Sequence, residues 1–591
     1  MNVIRSRVAT GGLLSAILIA QVALMWHAID QASPTPDEFG LLVGGLDSIV
    51  NGRHDIYCVN PPLVKRLAAW IPVGRGFRIP SYTENPDLRR IEWDLGRRFA
   101  SMHQTDAMAA LVSGRRMVSL FAALGSVGIF LLGREIAGKG VAIIATILWA
   151  SSPWILGYGI FVQTDVPAAT TGCFALLAML IAARNMNQGP ALWAPAVVTC
   201  GLWVGIAIMT KLTWLSLIIL VPLMFPLAGR ASWRRWIPAV IMVQVVAACV
   251  VVAGYGGGAW NRPLGDLPFD SRLLGGDEDT VADHYTFAGT VLQDLPSLVP
   301  ALWKGVDWQS RDLAVPGPAM MAGQWQTGGW YHYYAFVLLV KTRIIVLVMA
   351  SIGLLRLILD RDGYGVRKRP FWVLIFFAVV LFAWISSHHA LNRHGRYIIV
   401  LLPIVYLTAA VGCVWLWQKI ASLATTSIAG TLGLVSMVLV FAVGIAESIP
   451  CHPYQISFAN LAFGGPSQCH RWLAHSNVDW DHGWIAVKDW WGKHQANNPD
   501  ARLFIRRPRW MEVSCLGMQA VEIRNSELRE SSNAFVVVRL WEPIPVEQNH
   551  SAEPTPPIQT FAFSLGLYLA DQVVRDDPMD IWYELRLNDS L

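Results

Sequence analysis

Two carboxylates, Asp37 and Glu38, stand where the first apolar run of this chain ends, in "SPTPDEFGLL", and "NPPLVKR" follows at Asn60–Arg66. A carboxylate held at a membrane surface can take the proton of an attacking hydroxyl, which makes Asp37 a candidate general base. Thr35-Pro36-Asp37-Glu38 reads equally as a helix start, with Thr as N-cap, Pro at the first helical position and Glu closing a capping box. On that reading Asp37 is a first-turn acid that suits the helix dipole. Asp165, in "FVQTDVPAATTGCF", is a third candidate acid, again with an N-cap reading beside it. Lys211 is the single charge in "GIAIMTKLTWLSLI"; it either snorkels to lipid headgroups or receives an anion. "SSHHALNRHGRYIIVLLP" crowds His388, His389, Arg393, His394 and Arg396 into one short stretch. Its histidines show no firm metal-ligand spacing, so no metal or other cofactor is assigned. Cations gathered at an interface suit a phosphate instead.

The elements that must position these residues are membrane spans. The 591 residues are 54% hydrophobic and only 15% charged, with 27 tryptophans and a mean hydropathy of +0.42, which excludes a soluble globular protein of this size. No P-loop or basic–aromatic platform is present, so nucleic acid is not an expected partner. Apolar stretches long enough to cross a bilayer lie near 9–29, 117–133, 141–160, 166–183, 191–210, 212–229, 236–256, 335–355, 370–387, 397–417 and 427–446, about eleven in all. The first follows Arg5 and Arg7 as a secretory signal would. No small-residue cleavage site precedes Pro34, so a retained anchor is expected.

Orientation comes from the short loops. Arg134, Lys139, Arg184, Arg230, Arg234, Arg235, Arg356, Arg361, Arg367, Lys368, Arg369 and Lys419 all fall on the side of Arg5 and Arg7. The positive-inside rule then places the N-terminus in the cytoplasm and the C-terminus outside. Residues 30–116, 257–334 and 447–591 share the outer side, with every candidate site residue, as expected for a protein of a bacterial inner membrane. Cys173, Cys200, Cys249 and Cys413 lie in spans, while Cys58, Cys451, Cys469 and Cys515 lie outside, where disulfides are permitted.

The spans carry almost no ionisable residues, whereas ion-coupled transporters need charges near the midplane. Polar chemistry gathered at outer span ends points to an enzyme working at the membrane surface. A transporter or flippase of lipid-linked saccharides, and a non-catalytic membrane scaffold, are the alternatives.

Several stretches together resemble the GT-C glycosyltransferases, in particular the dolichyl-phosphate-mannose protein mannosyltransferases and the lipid A aminoarabinose transferases. They are Asp37-Glu38 with "NPPLVK", "GRRMVSLFAALGSVGIFLLGREIAG", "QTDVPAATTGCFALLAML", "IMTKLTWLSLI", "GGWYHYYAFVLLVKT", "HGRYIIVLLP" and "HPYQISFANLAFGGP" with "SNVDWDHGW". The resemblance covers about residues 1–490. It departs from the family at Asn60, where relatives often have His, and at Asp481-His482, where the usual pair is Gly-Gln. It implies a mainly α, polytopic GT-C bundle and inverting sugar transfer from a polyprenyl-phosphate carrier to a hydroxyl of a protein, lipid or glycan. In that chemistry Asp37 is the base, Glu38 fixes the helix start and touches substrate, and Asp165 orients acceptor or sugar hydroxyls. Lys211 and Arg396 receive the carrier phosphate, with Arg393, His388 and His389 beside them. No nucleotide or metal is implied.

The transmembrane catalytic domain is expected over 1–446 and a small outer α/β or α+β domain over 447–591. Strand-like runs "ARLFIRR", "AVEIRN" and "AFVVVRLWEP" support the latter, before a Pro-rich linker near "SAEPTPPIQ". Trp480, Trp484, Trp490 and Trp491 either stack on sugars or pack this domain onto the membrane face.

Overall fold

Lipid leaves a backbone no partner but itself, so the apolar stretches fold as helices. The computed structural model describes residues 2–82, 90–186, 188, 190–229, 232–256, 263–267, 269–271, 273–274, 294–359, 366–388, 392–424, 428–505, 513–518, 521–522, 534–540 and 557–569. Its helices are α1 (Asn2–Gln31), α2 (Glu38–Val50), α3 (Pro62–Gly74), α4 (Glu92–His103), α5 (Thr105–Ala150), α6 (Pro153–Tyr158), α7 (Asp165–Asn185), α8 (Pro190–Thr210), α9 (Ser216–Ala228), α10 (Trp233–Gly254) and α11 (Pro300–Ala314). A hairpin, β1 (Pro318–Met321) and β2 (Gln324–Thr327), precedes α12 (Tyr333–Lys341), α13 (Ile344–Leu359), α14 (Lys368–Ser387), α15 (Leu402–Ala424) and α16 (Ile428–Ala446). The chain ends with α17 (Cys469–Trp472), α18 (Trp484–Asn497), β3 (Arg502–Ile505), β4 (Val521–Glu522), β5 (Ala534–Arg539), β6 (Gln559–Phe561) and β7 (Leu565–Leu569).

The chain is an integral membrane protein. Among the described residues eight helices are long and apolar enough to cross a bilayer, or nine when α12 and α13, bent by 117°, count as one span. The other expected stretches are there in altered form. A non-helical residue, Gly138 (φ 84°), divides α5 between the stretches 117–133 and 141–160, and α9 has only 13 residues. Helix α1 is built into the bundle: Met25, Ala28 and Ile29 are buried, and Ser126 of α5 donates to Gln21 at 2.7 Å.

Close crossings hold the bundle together, because lipid gives helices no hydrophobic reason to associate. In α13 and α15, Gly353 and Gly412 face each other's backbone. A Cβ at Gly353 would lie 1.9 Å from the Thr408 carbonyl, and one at Gly412 would lie 2.1 Å from that of Met349.

At one end of the bundle, α2, α3, α4 and the first turns of α5 share one apolar core with α18 and the terminal sheet, through Phe39, Leu42, Phe99, Trp484, Leu503 and Leu567. That sheet has the order β4-β3-β5-β7-β6, with β3 parallel to β4 and β5 and the remaining pairs antiparallel. Strands β6 and β7, which begin at the end of the stretch read from sequence as a Pro-rich linker, complete it. The apolar side chains of 456–480, Ile456, Cys469, Val478 and Trp480 among them, belong to the helical bundle's core. The core shared with the terminal sheet includes Trp484 and residues after it.

One buried ion pair joins these layers. Glu38 and Arg115 are both fully buried, and the Arg115 guanidinium donates to the two Glu38 oxygens at 2.8 and 2.5 Å. Arg115 also donates to the carbonyls of Ala32 (2.6 Å) and Ser33 (2.7 Å), which fixes the end of α1. Glu38 accepts in addition from the backbone N–H of Thr35 (2.9 Å) and of Val162 (2.8 Å).

Two predictions follow from this packing. Arg115→Met should destabilise the protein by about 3–5 kcal/mol, because it leaves a buried carboxylate uncompensated, whereas Arg115→Met with Glu38→Met should recover most of that loss. Unfolding followed by tryptophan fluorescence in detergent measures both, and equal losses in the single and double variants would show that the cost does not come from the unpaired carboxylate. Gly412→Leu should cost roughly 1–3 kcal/mol or more by overpacking. Gly11→Leu, where nothing lies within 4 Å of the added Cβ, should leave the melting temperature unchanged.

Candidate active site

Glu38 and Asp37 are adjacent in sequence but face different partners. Glu38 takes the helix-start role, since its carboxylate reaches back to the Thr35 N–H. The Thr35 hydroxyl makes no hydrogen bond, and Asp37 gives α2 no side-chain cap. With four hydrogen bonds and no exposure, Glu38 has no face left for a substrate; this corrects the expectation that it touches one. Asp37 turns to other polar side chains instead. Its Oδ1 accepts from the Trp93 indole N–H at 3.3 Å, and its Oδ2 accepts from Gln163 at 3.3 Å and from Arg396 at 3.1 Å.

Arg396 lies between two acids. One terminal nitrogen donates to Asp37, and its Nε stands 3.7 Å from Oδ2 of Asp165, the first residue of α7. Lys211, just past the end of α8, forms an ion pair with the other Asp165 oxygen. Its ammonium also lies 4.8 Å from the centre of the Tyr397 ring. The four charges form the chain Asp37–Arg396–Asp165–Lys211 and cancel within it. The guanidinium of Arg396 stacks 4.0 Å over Trp480, while its Nε and Nη1 are buried and make no hydrogen bond.

The loop carrying Arg396 is held by "SNVDW". Asn477, fully buried, accepts from the Gly395 N–H at 2.8 Å and donates to the Arg393 carbonyl at 3.1 Å. It is itself anchored to the Tyr333 hydroxyl and the Ala474 carbonyl. Ser476 hydrogen-bonds the His394 ring at 2.9 Å, and its carbonyl accepts from Tyr158 of α6 at 2.7 Å. Lys341, the last residue of α12, donates to the Asn477 carbonyl at 2.6 Å. Burial and the nearby cations Arg396 and Arg393 hold His394 well below the usual histidine range, so this imidazole is neutral. Arg393 is half-buried beside Gly317, with its Nε lacking a hydrogen bond.

Five expected site residues therefore meet or border one another: Asp37, Asp165, Lys211, Arg396 and, at the edge, Arg393. His388 does not join them. Helix α14 ends at Ser387, and His388 is half-buried, hydrogen-bonded through Nδ1 to the Trp384 carbonyl at 2.8 Å. It closes a helix end rather than joining the cluster. His389 lies outside the described residues. Among the described residues no group of three or more His, Cys, Asp and Glu is placed to hold a metal. Among the described residues no disulfide joins the cysteines.

The two family departures also have structural roles. Asn60 accepts from the Thr164 hydroxyl at 3.2 Å, joining "NPP" to the residue before Asp165. Asp481 pairs with Arg539 of β5 and its carbonyl accepts from Ser33, while the His482 carbonyl accepts from the Ser33 N–H at 3.1 Å. They tie the outer sheet to the end of α1. The four tryptophans pack: Trp480 under Arg396, Trp484 and Trp491 in the outer core, and Trp490 against Phe535 and Phe561. Sequence reasoning did not single out Arg115, Trp93, Gln163 or Asn477. For Arg115 a signal existed, a paired cation inside an otherwise apolar helix.

A family model described as dolichyl-phosphate-mannose-protein mannosyltransferase matches residues 107–255. No curated protein sequence matches the chain. Among solved structures it is similar to ArnT from Cupriavidus metallidurans bound to undecaprenyl phosphate, with a TM-score of 0.46 and 13% identity over 89% of this chain and 93% of that one. It is also similar to the oligosaccharyltransferase AglB from Archaeoglobus fulgidus in complex with an inhibitory peptide and a dolichol-phosphate, with a TM-score of 0.45 and 15% identity over 73% and 55%. A third similarity is to the arabinofuranosyltransferase AftD from Mycobacteria, with a TM-score of 0.34 and 13% identity over 94% and 41%. The resemblance read from the motifs, to GT-C membrane glycosyltransferases of the dolichyl-phosphate-mannose-protein mannosyltransferase kind, is borne out over residues 107–255 by the family match.

Proposed function

We propose that this protein transfers a sugar from a polyprenyl-phosphate carrier to an acceptor hydroxyl at the outer membrane face, with inversion at the anomeric carbon. The observation that carries the reading is the position of Arg396, which bridges Asp37 and Asp165 and keeps two buried donor nitrogens without a hydrogen-bond partner. Those donors suit a phosphate oxygen, and the planar guanidinium is held flat by Trp480. In the reaction the acceptor oxygen bonds to the anomeric carbon as the carbon–oxygen bond to the carrier phosphate breaks. The acceptor proton passes to Asp37, and the departing phosphate is met by Arg396 and Lys211. Preformed cations stabilise the charge that develops on the leaving group, so no general acid is required. Asp165 holds both cations in place. The family match over residues 107–255 supports glycosyl transfer, and the clustering of charge at span ends supports a surface reaction over conduction.

Purified protein in lipid, given labelled polyprenyl-phosphate sugars, should pass label to an acceptor. Asp37→Asn should lower the rate by about 10²–10⁴ while the protein stays folded and still binds the carrier. Arg396→Ala should weaken carrier binding, and Arg396→Lys should restore only part, because a point charge does not replace a planar fork. Near wild-type transfer by Asp37→Asn would remove the base. The orientation follows the charged loops: Lys368→Cys should resist an impermeant maleimide on intact cells, and Asn497→Cys should react. The reverse pattern would invert the topology and move the site to the cytoplasm.

A further inference from the structure

Lys65 is a buried charge that the site above does not use. It is 1% exposed, lies on α3 within the outer core and forms no ion pair among the described residues. Its ammonium donates to two successive carbonyls, of Ile56 at 3.0 Å and of Tyr57 at 3.3 Å. The Ile56 carbonyl also lies against Gly44 of α2, where a Cβ would come within 2.9 Å of it. Tyr57 has φ +56°, a left-handed conformation that an aromatic residue adopts only when its surroundings impose it. Its side chain is buried, its ring meets Trp93 edge-on at 6.5 Å, and its phenol faces the Asp37 carboxylate. Trp93 donates to the same carboxylate. The turn at 56–57 therefore builds one wall of the Asp37 pocket, and Lys65 is the group that clamps the turn.

Resting on the reading of Asp37 as base, we propose that Lys65 is a positioning residue for it: by holding the Ile56 and Tyr57 carbonyls it fixes the strained turn that aims Tyr57 and Trp93 at Asp37. Charge-assisted hydrogen bonds are about twice as strong as neutral ones, so the clamp is tightest while Lys65 is protonated. Burial is the largest influence on Lys65 and lowers it to about 8, against the upward pull of Cys58, Glu92, Asp55 and Asp47. Nearby His54 is pushed down to about 4, chiefly by burial, and is neutral where Lys65 titrates. Cys58 is pushed up to about 12 by burial and stays a thiol. The clamp is thus full below about pH 8 and loosens above it.

The test uses full-length protein in lipid with a fluorine label on the Tyr57 ring. The Tyr57 signal should move in Asp37→Asn and in Lys65→Met, and in the wild type it should titrate near pH 8. In transfer assays Lys65→Met should lower kcat on the order of 10- to 100-fold by misplacing the base. The KM for the carrier should not change, because the phosphate cations are untouched. Lys65→Arg, which stays charged, should keep part of kcat and lose the alkaline fall. A Tyr57 signal indifferent to Lys65→Met and to pH would overturn the proposal whatever the activity, and so would an unchanged kcat in Lys65→Met. If Lys65→Met does not fold, the wild-type titration and Lys65→Arg decide. Absence of transfer by the wild type would count against the glycosyltransferase reading alone, because the fluorine signal still judges the clamp.

Discussion

The Glu38–Arg115 pair is the contact from which the site-bearing half of the molecule is organised. It brings together the end of the first span, the start of α2, the outer limb of α5 and the backbone at Val162. A buried ion pair of this kind contributes little net stability, because desolvating both charges offsets their attraction. Its effect is on geometry: with all four Glu38 hydrogen bonds formed, only one arrangement of these segments leaves no charge unpaired. Asp37, one residue earlier, is thereby placed with its carboxylate turned away from the pair and toward Arg396.

The cationic half comes from segments far apart in sequence. Lys211 follows α8, Arg393 and Arg396 follow α14, and the residues that steady them, Asn477 and Trp480, lie beyond the last span. Asn477 is the hinge of this arrangement, since one buried amide serves the Arg393–Gly395 backbone, Tyr333 and its own turn. The same stretch continues into Asp481 and His482, which fasten the terminal sheet to Ser33. The outer domain is thus continuous with the site. Two acids and two cations that cancel internally leave a cluster close to neutral before a substrate arrives, with Arg393 as a further cation at its edge.

Much of this was legible in the chain itself. A run of apolar residues has one stable conformation in lipid, so the spans and their order follow from composition, as do the candidate residues, because a charge among apolar neighbours stands out. The strand-like runs after 500 named three of the five strands of the sheet. The pairing of β5 with β7 was hidden, because a strand's partner depends on which edge is brought beside it and not on its own residues.

The sequence by itself determined a helical membrane protein with acids and cations at the ends of its spans, because hydrophobic length and the cost of charge in lipid leave no other solution. Only the tertiary structure decided which acid meets which partner. Asp37 and Glu38 are alike as residues at a helix start; they differ because Arg115, 77 positions along the chain, claims one carboxylate and leaves the other to Arg396. It likewise set His388 apart from Arg396, because the end of α14 turns that ring back onto its own helix. Directions of side chains are set by partners across the fold, and no local pattern of residue types encodes them.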